Sequence, residues 1–95
     1  MPGPAQSVAH VPPADDLPEP IRRARWAVGD RIRRLRTERG LSQEQLAGLM
    51  FLERRTVHRI ERGTRTLTLD RAVQIAQALD VPLWRLFRDE DPPGG

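Results

Sequence analysis

The sequence predicts an all-α fold of about five helices in a single small domain. Between residues 21 and 87, apolar residues recur at intervals of three and four positions, which is the spacing of one face of an α-helix. Capping residues and glycines separate these periodic segments in the way that helix ends require. No segment alternates apolar and polar residues over the length of a strand, and the sequence has no internal repeat.

The first predicted helix covers residues 21–39. Pro20 suits its first turn, and Gly40 follows it as a C-terminal stop. Gly29 weakens the middle of the segment, so one long helix and two short helices both remain open. The apolar residues with helical spacing are Ile21, Ala24, Val28, Ile32 and Leu35.

The segment LSQEQL predicts the start of the second helix. Ser42 is the N-cap and Gln45 follows three residues later, which is the pattern of a capping box. Leu41 and Leu46 occupy the two positions of a hydrophobic staple. We expect this helix to run to about Leu49.

A short turn at residues 50–52 leads to the third helix, which we expect over about residues 53–62. Val57 and Ile60 lie on one face of it, and Gly63 ends it. The apolar residues of this helix and of the second one must meet at a common seam, because neither helix buries much surface alone.

Two further helices complete the predicted domain. Thr68 caps the fourth helix and Asp70 lies in its first turn. Pro82 begins a short last helix, with Leu83, Leu86 and Phe87 expected to point inward. The apolar stripe of the fourth helix is predicted as Leu69, Ala72, Val73, Ala76 and Leu79.

The charge of the chain is concentrated in this predicted domain. All 16 cationic residues are arginine, and all lie within residues 21–88 beside seven acidic residues, so the segment has a formal charge of +9. Residues 1–20 contain six prolines and three acids, and residues 89–95 read DEDPPGG, so we expect two disordered acidic tails. A small domain of this charge repels itself unless an anion relieves it, which favours nucleic acid first and an anionic membrane surface second.

Other function classes lack the residues that they need. The absence of cysteine excludes disulfides and thiolate metal sites, and we expect no metal, cofactor or catalytic residue. No nucleophile has a base beside it and no glycine-rich phosphate loop is present, so an enzyme is not expected. No apolar run approaches the ~20 residues of a membrane span and the first residues lack the order of a signal peptide, so we expect a cytoplasmic protein.

The second and third predicted helices form a helix-turn-helix, in which the second helix of the pair turns one face away from the core. Arginine can bind guanine in the major groove with two parallel hydrogen bonds, and it can equally bind phosphate. The sequence therefore predicts a protein that binds double-stranded DNA. The outward residues of this helix are Glu53, Arg54, Arg55, His58, Arg59 and Arg62.

The segments RGLSQEQLA and RTVHRIERG, at this spacing, resemble the phage repressor/Cro family of DNA-binding domains, also called the XRE family. The resemblance covers about residues 28–87. It implies a compact five-helix lambda-repressor-like domain that acts as a sequence-specific transcriptional regulator of the repressor type. It also implies a homodimer on a two-fold, palindromic operator, and thus a cytoplasmic, nucleoid-associated protein.

The resemblance further implies roles for individual residues. Arg36 of the first helix is expected to pair with Glu61, late in the third. The base-contacting positions fall on Gln43, Arg54, Arg55 and Arg59. The positions expected to contact DNA phosphates are Ser42, His58, Arg62, Thr64 and Arg65.

Two positions depart from the family pattern. Phe51 stands where the family commonly has a glycine in a left-handed conformation. Either the turn is shifted, or Phe51 accepts the strain and packs or projects its ring. Glu53 stands where serine or threonine would cap the third helix, and it is a weaker cap that still suits the helix dipole.

The two tryptophans are the expected dimer contacts. Trp84 has no inward position if its neighbours point to the core, and Trp26 lies off the apolar face of the first helix. Two alternatives to a simple regulator remain open. One is an antitoxin or phage-type repressor that also binds a protein partner, and the other is a non-enzymatic protein-interaction adaptor.

Overall fold

The computed structural model describes residues 17–88, and over this range the chain forms four α-helices followed by one 3-10 helix. The helices are α1 (Glu19–Glu38), α2 (Gln43–Leu49), α3 (Arg54–Glu61), α4 (Leu69–Leu79) and the 3-10 helix Leu83–Leu86. No residue of the described range is in a strand, and the predicted all-α class is confirmed. The fifth helix is a single 3-10 turn. The predicted tails lie outside the described residues, except for residues 17–20.

The first helix is one continuous helix of 20 residues that starts at Glu19, two residues earlier than expected. Gly29 does not break it, because Gly29 lies where α1 crosses α3. A Cβ atom at this position would lie 2.5 Å from the carbonyl oxygen of Glu61 and 2.6 Å from that of Ile60. The glycine therefore allows the close approach of two helices, and its weak helix propensity is secondary.

The predicted caps are confirmed. The backbone N–H of Gln45 donates to Ser42 Oγ at 3.0 Å, and the backbone N–H of Ser42 donates to Gln45 Oε1 at 2.8 Å. The backbone N–H of Arg71 donates to Thr68 Oγ1 at 3.1 Å, which starts α4. These bonds satisfy backbone donors that a helix start otherwise leaves without partners.

One hydrophobic core joins all five helices. Its buried residues are Ile32, Leu35, Leu46, Ala47, Val57, Ile60, Ala72, Ile75, Ala76, Leu79 and Leu86. The seam between α2 and α3 is part of this core, with Met50 and Leu52 half-buried against it. None of the helices in residues 17–88 combines the length and the apolar character that crossing a membrane requires.

The predicted apolar stripe of α4 is partly wrong. Leu69 is 66% exposed and Val73 is also exposed, whereas Ile75, which the prediction omitted, is buried. The buried residues have helical spacing, and Val73 lies at the edge of the stripe that they form. They are Ala72, Ile75, Ala76 and Leu79. Leu69 lies in the first turn, ahead of the first buried residue.

The prediction that Phe87 points inward is also wrong, because its side chain is 48% exposed. In a 3-10 helix, residues three apart lie above one another. Leu83 and Leu86 therefore share the core side, and Phe87 falls outside their row. Trp84, which lies between these two leucines in the sequence, is half-buried.

Candidate nucleic-acid interface

The turn between α2 and α3 is not shifted, and Phe51 adopts the left-handed conformation with a φ of 57°. Its ring is 95% exposed, so it projects into solvent and gains no packing in return. The strain costs on the order of 1 kcal/mol. The turn is nevertheless closed, since the N–H of Leu52 donates to the carbonyl of Ala47 at 2.9 Å.

Helix α3, which is predicted to contact DNA, turns its apolar residues inward and its arginines outward. Val57 and Ile60 are buried, while Arg54, Arg55 and Arg59 are exposed. Glu53 occupies the N-cap but its side chain makes no capping hydrogen bond, as expected of a weak cap.

Four of the five exposed arginines of α3 and the following loop lack counter-charges. Within residues 17–88, Arg54, Arg59, Arg62 and Arg65 make neither an ion pair nor a side-chain hydrogen bond. Arg55 lies 3.5 Å from a carboxylate oxygen of Glu53. A group of exposed cations without partners attracts anions from solution.

The structure brings Arg36 and Glu61 together in a two-bond ion pair. Arg36 Nε donates to Glu61 Oε2 at 2.7 Å, and Arg36 Nη2 donates to Glu61 Oε1 at 3.0 Å. The third nitrogen, Nη1, donates to the carbonyl of Leu41 at 2.7 Å. The two side chains are only 13% and 3% exposed, so α1 is tied to α3 by a pair largely removed from water.

Gln43 joins the same carboxylate, a contact that the sequence analysis missed. Its Nε2 donates to Glu61 Oε1 at 3.0 Å, which fixes the side chain at the start of α2. An amide nitrogen has two hydrogens, so the second remains able to bind a phosphate or a base. The predicted pair implied a carboxylate here, but no sequence signal indicated that Gln43 would share it.

Ser42 and Thr64 have hydroxyl groups near α3, and they differ in whether the hydroxyl hydrogen is free to bind a phosphate. Ser42 Oγ accepts from the N–H of Gln45 and keeps its own hydrogen for a phosphate. Thr64 gives both of its donors to the carbonyl of Arg59, from the backbone at 3.0 Å and from the hydroxyl at 3.2 Å. The phosphate contact predicted for Thr64 would require its hydroxyl to turn away from Arg59.

The two tryptophans lie in different surroundings. Trp26 is 63% exposed and borders a cavity of about 430 Å³ together with Gln43, His58 and Arg62, beside α3. Trp84 is half-buried, and the guanidinium carbon of Arg85 lies 5.9 Å from its ring centroid. They do not touch each other within one chain.

Comparisons with known proteins agree with this geometry. The family described as helix-turn-helix, HTH_3, matches residues 32–83. A protein of Sinorhizobium medicae, named as an uncharacterized HTH-type transcriptional regulator, is 37% identical over 68 residues, which is 72% of this chain and 49% of the relative. The chain spans about half the length of such relatives.

Two solved structures share the fold. The restriction-modification controller protein C.AhdI from Aeromonas hydrophila has a TM-score of 0.67 and 42% identity, over 70% of this chain and 96% of that one. The hypothetical transcription factor NHTF from Neisseria has a TM-score of 0.66 and 28% identity, over 88% of this chain and 85% of that one.

Proposed function

This chain belongs to the HTH_3 helix-turn-helix family, and from that premise we propose that it is a sequence-specific regulator of transcription that binds double-stranded DNA. The single observation that carries the proposal is the exposed group of arginines without acidic partners on one face of α3 and the loop after it. The names of the relatives, HTH-type transcriptional regulators, support it.

In the proposed complex, α3 enters the major groove. Arg54, Arg55 and Arg59 contact base edges, because a guanidinium matches the two acceptors of guanine. Gln43 joins them through the amide hydrogen that Glu61 leaves available. The phosphate contacts come from Ser42, His58, Arg62, Thr64 and Arg65, which hold the register without specifying sequence.

The protein acts as a homodimer on a palindromic operator in this proposal. One domain of this size covers a single half-site, which discriminates weakly against the competing sites of a genome. Two domains would place their α3 helices about 34 Å apart, one turn of DNA. Trp84 is the proposed anchor of the dimer. In this proposal the dimer represses transcription from the operator that it occupies, and it lies at the nucleoid in the cytoplasm.

The test begins with selection of bound DNA from a random library, for which we expect a palindromic consensus. On that consensus, Arg59→Ala should weaken binding by about 1–3 kcal/mol and relax the preference at the base pair that Arg59 contacts. Arg71→Ala is the matched control, because it removes the same charge from α4, where Arg71 Nη1 donates to Gln74 at 2.9 Å. The proposal fails if the wild type shows no preferred sequence, or if both variants bind alike.

A second candidate, a regulator or adaptor that binds a protein partner, is favoured by one observation. Phe51 and Leu49 expose apolar side chains at 95% and 56%, next to each other beside the turn. Binding to a partner through this patch should be insensitive to salt, whereas binding to DNA should weaken steeply as salt rises.

A further inference from the structure

We propose that the N-terminal half of α1 is part of the DNA-binding surface, with Trp26 contacting the sugar–phosphate backbone beside the C-terminal end of α3. This inference rests on the proposed function. It replaces the role of dimer contact predicted for Trp26. Residues 19–31, the N-terminal segment of α1, form about 20 Å of helix and precede the family match, which begins at residue 32.

Two glycines fix the position of this N-terminal segment of α1. At Gly29, α1 approaches the last carbonyls of α3 so closely that no side chain fits between them. At Gly63, a Cβ atom would lie 3.0 Å from the backbone nitrogen of Trp26. The backbone of Trp26 therefore packs directly on Gly63, two residues after the end of α3.

Trp26 is continuous with the proposed phosphate contacts. It shares its cavity with Gln43, His58 and Arg62, each of which the proposed function already assigns to DNA. Arg25, its neighbour in the chain, donates from Nη2 to Thr66 Oγ1 at 2.8 Å. This bond holds the N-terminal segment of α1 against the loop that contains Arg65, so the segment and the loop form one surface.

The surroundings of Trp84 are different. Arg85 borders a separate cavity of about 180 Å³ with Arg31 and Glu38 of α1. Trp26, Asp30 and Arg33 border the first cavity, and helical spacing places these residues on the opposite side of the buried stripe of α1. Trp26 therefore lies on the side of α1 away from the cavity bordered by Arg85, the neighbour of Trp84 in the chain.

The chemistry at Trp26 suits a DNA backbone. An indole N–H only donates, and more than half of the hydrogen bonds between proteins and DNA go to phosphate or sugar. The apolar ring can pack on deoxyribose at the same time. Nearby, Arg62 is exposed and has no ion pair within the described residues, so a phosphate here also meets a cation.

The two carboxylates beside Trp26 do not oppose this contact. Asp30 accepts from Arg33 Nη2 at 2.8 Å and from Arg34 Nε at 3.1 Å. Glu61 is held by the buried pair with Arg36. Each negative charge near the indole is therefore neutralised within the domain before DNA approaches.

The test uses the full chain labelled with 5-fluorotryptophan, which gives two fluorine signals because the chain has two tryptophans. Trp26→Phe removes one signal and so assigns both. Adding the selected DNA should shift the Trp26 signal, while diluting the free protein through the dimer–monomer transition should move the Trp84 signal alone. The inference is overturned if dilution moves the Trp26 signal or if DNA leaves it in place.

Affinity measurements give an independent result. Trp26→Phe and Trp26→Ala should weaken DNA binding by about two- to tenfold, which corresponds to the loss of one hydrogen bond. The Ala variant should bind more weakly than the Phe variant, because it also loses the packing of the ring. The salt slope and the preferred sequence should stay as in the wild type, because no charge and no base contact is lost. Unchanged affinity in both variants, with wild-type circular dichroism, overturns the inference and leaves the proposed function intact. If the wild type binds no DNA, both this inference and the proposed function are wrong.

Discussion

Three arginines of α1 and four arginines of α3 and the loop after it lie in opposite situations. In α1, Arg23 pairs with Glu19, Arg33 pairs with Asp30, and Arg36 is held in the buried pair. On the exposed face of α3 and its loop, Arg54, Arg59, Arg62 and Arg65 have no acidic partner within residues 17–88. The first group stabilises the fold, and the second remains available to a ligand.

The difference shows that the number of arginines does not locate a binding surface. What separates the two regions is where the acids point. In α1 the acids lie three or four residues from arginines on the same surface, where exposed pairs form. In α3 the one acid, Glu61, is turned inward to Arg36, and among the outward arginines only Arg55 has an acid beside it, the N-cap residue Glu53.

The largest expected effect is on the buried pair, which is the strongest case of an arginine serving the fold. Glu61→Ala should lower the free energy of unfolding by about 3–5 kcal/mol, because it leaves Arg36 nearly buried without its counter-charge and Gln43 without its acceptor. Urea denaturation measures the loss. Glu19→Ala, which breaks an exposed pair, should change stability by less than about 1 kcal/mol. Equal losses in the two variants would erase the distinction between buried and exposed pairs.

The next effect tests whether α1 positions α3 through direct backbone contact. Gly29→Ala should destabilise the domain by about 1–3 kcal/mol, because the new methyl group meets two backbone carbonyls that cannot move aside cheaply. Gly48→Ala is the matched control, since a Cβ there meets nothing within 4 Å and the helix α2 should gain about 0.5–1 kcal/mol. Thermal unfolding of both variants decides the matter. A stabilised Gly29→Ala variant would show that the helices can separate freely.

A smaller effect concerns the turn that presents α3. Phe51→Gly should stabilise the domain by about 0.5–1 kcal/mol, because it relieves the left-handed strain and loses no buried surface. Asp80→Gly changes the second left-handed residue, and it should gain less because aspartate tolerates this conformation better. The measurement is the urea midpoint of each variant. A loss of stability in Phe51→Gly would reveal packing of the ring in solution.

The smallest effect is a pH dependence in α1. Hydrogen bonding from Arg33, aided by the charges of Arg33 and Arg34, lowers the pKa of Asp30. The folded pKa is thus below the unfolded value of about 3.9, so its contribution is present above that pH and is lost as pH falls through the folded pKa. Asp30→Asn should lose about 0.3–0.5 kcal/mol at pH 7, measured by urea denaturation, and this difference from the wild type should shrink as the pH falls into the acid range. A difference in stability that stays constant as the pH falls would contradict the ion-pair account.

Local sequence signals predicted the helix starts and the seam well. The capping box at Ser42 and the cap at Thr68 depend on residues three positions apart, so the sequence contains all the information that they need. Spacing could not show that Val73 lies at the edge of its stripe or that the last helix is 3-10. Both depend on how these helices pack against the core, which local spacing does not contain.

The candidate site was less predictable than the fold. The resemblance to a known family pointed to Arg36 and Glu61, and the structure brings them together. The hydrogen bond from Gln43 was missed, since it depends on the relative placement of three helices. Gly29 looked like a weak point of a helix because its neighbours in space, Ile60 and Glu61, are 31 and 32 residues away in the chain, and no local sequence pattern contains that contact.

The shared carboxylate of Glu61 has a consequence for slow motions. It belongs to α3 and accepts hydrogen bonds from α1 and α2, so α3 cannot open without breaking bonds to both, and neither α1 nor α2 can open without breaking its bonds to α3. Segments linked in this way exchange their amide hydrogens in one cooperative step. Protected amides of α2 and α3 should therefore exchange with deuterium at a common rate. The DNA-facing helix would then be presented to an operator as part of one rigid unit, without local ordering on contact.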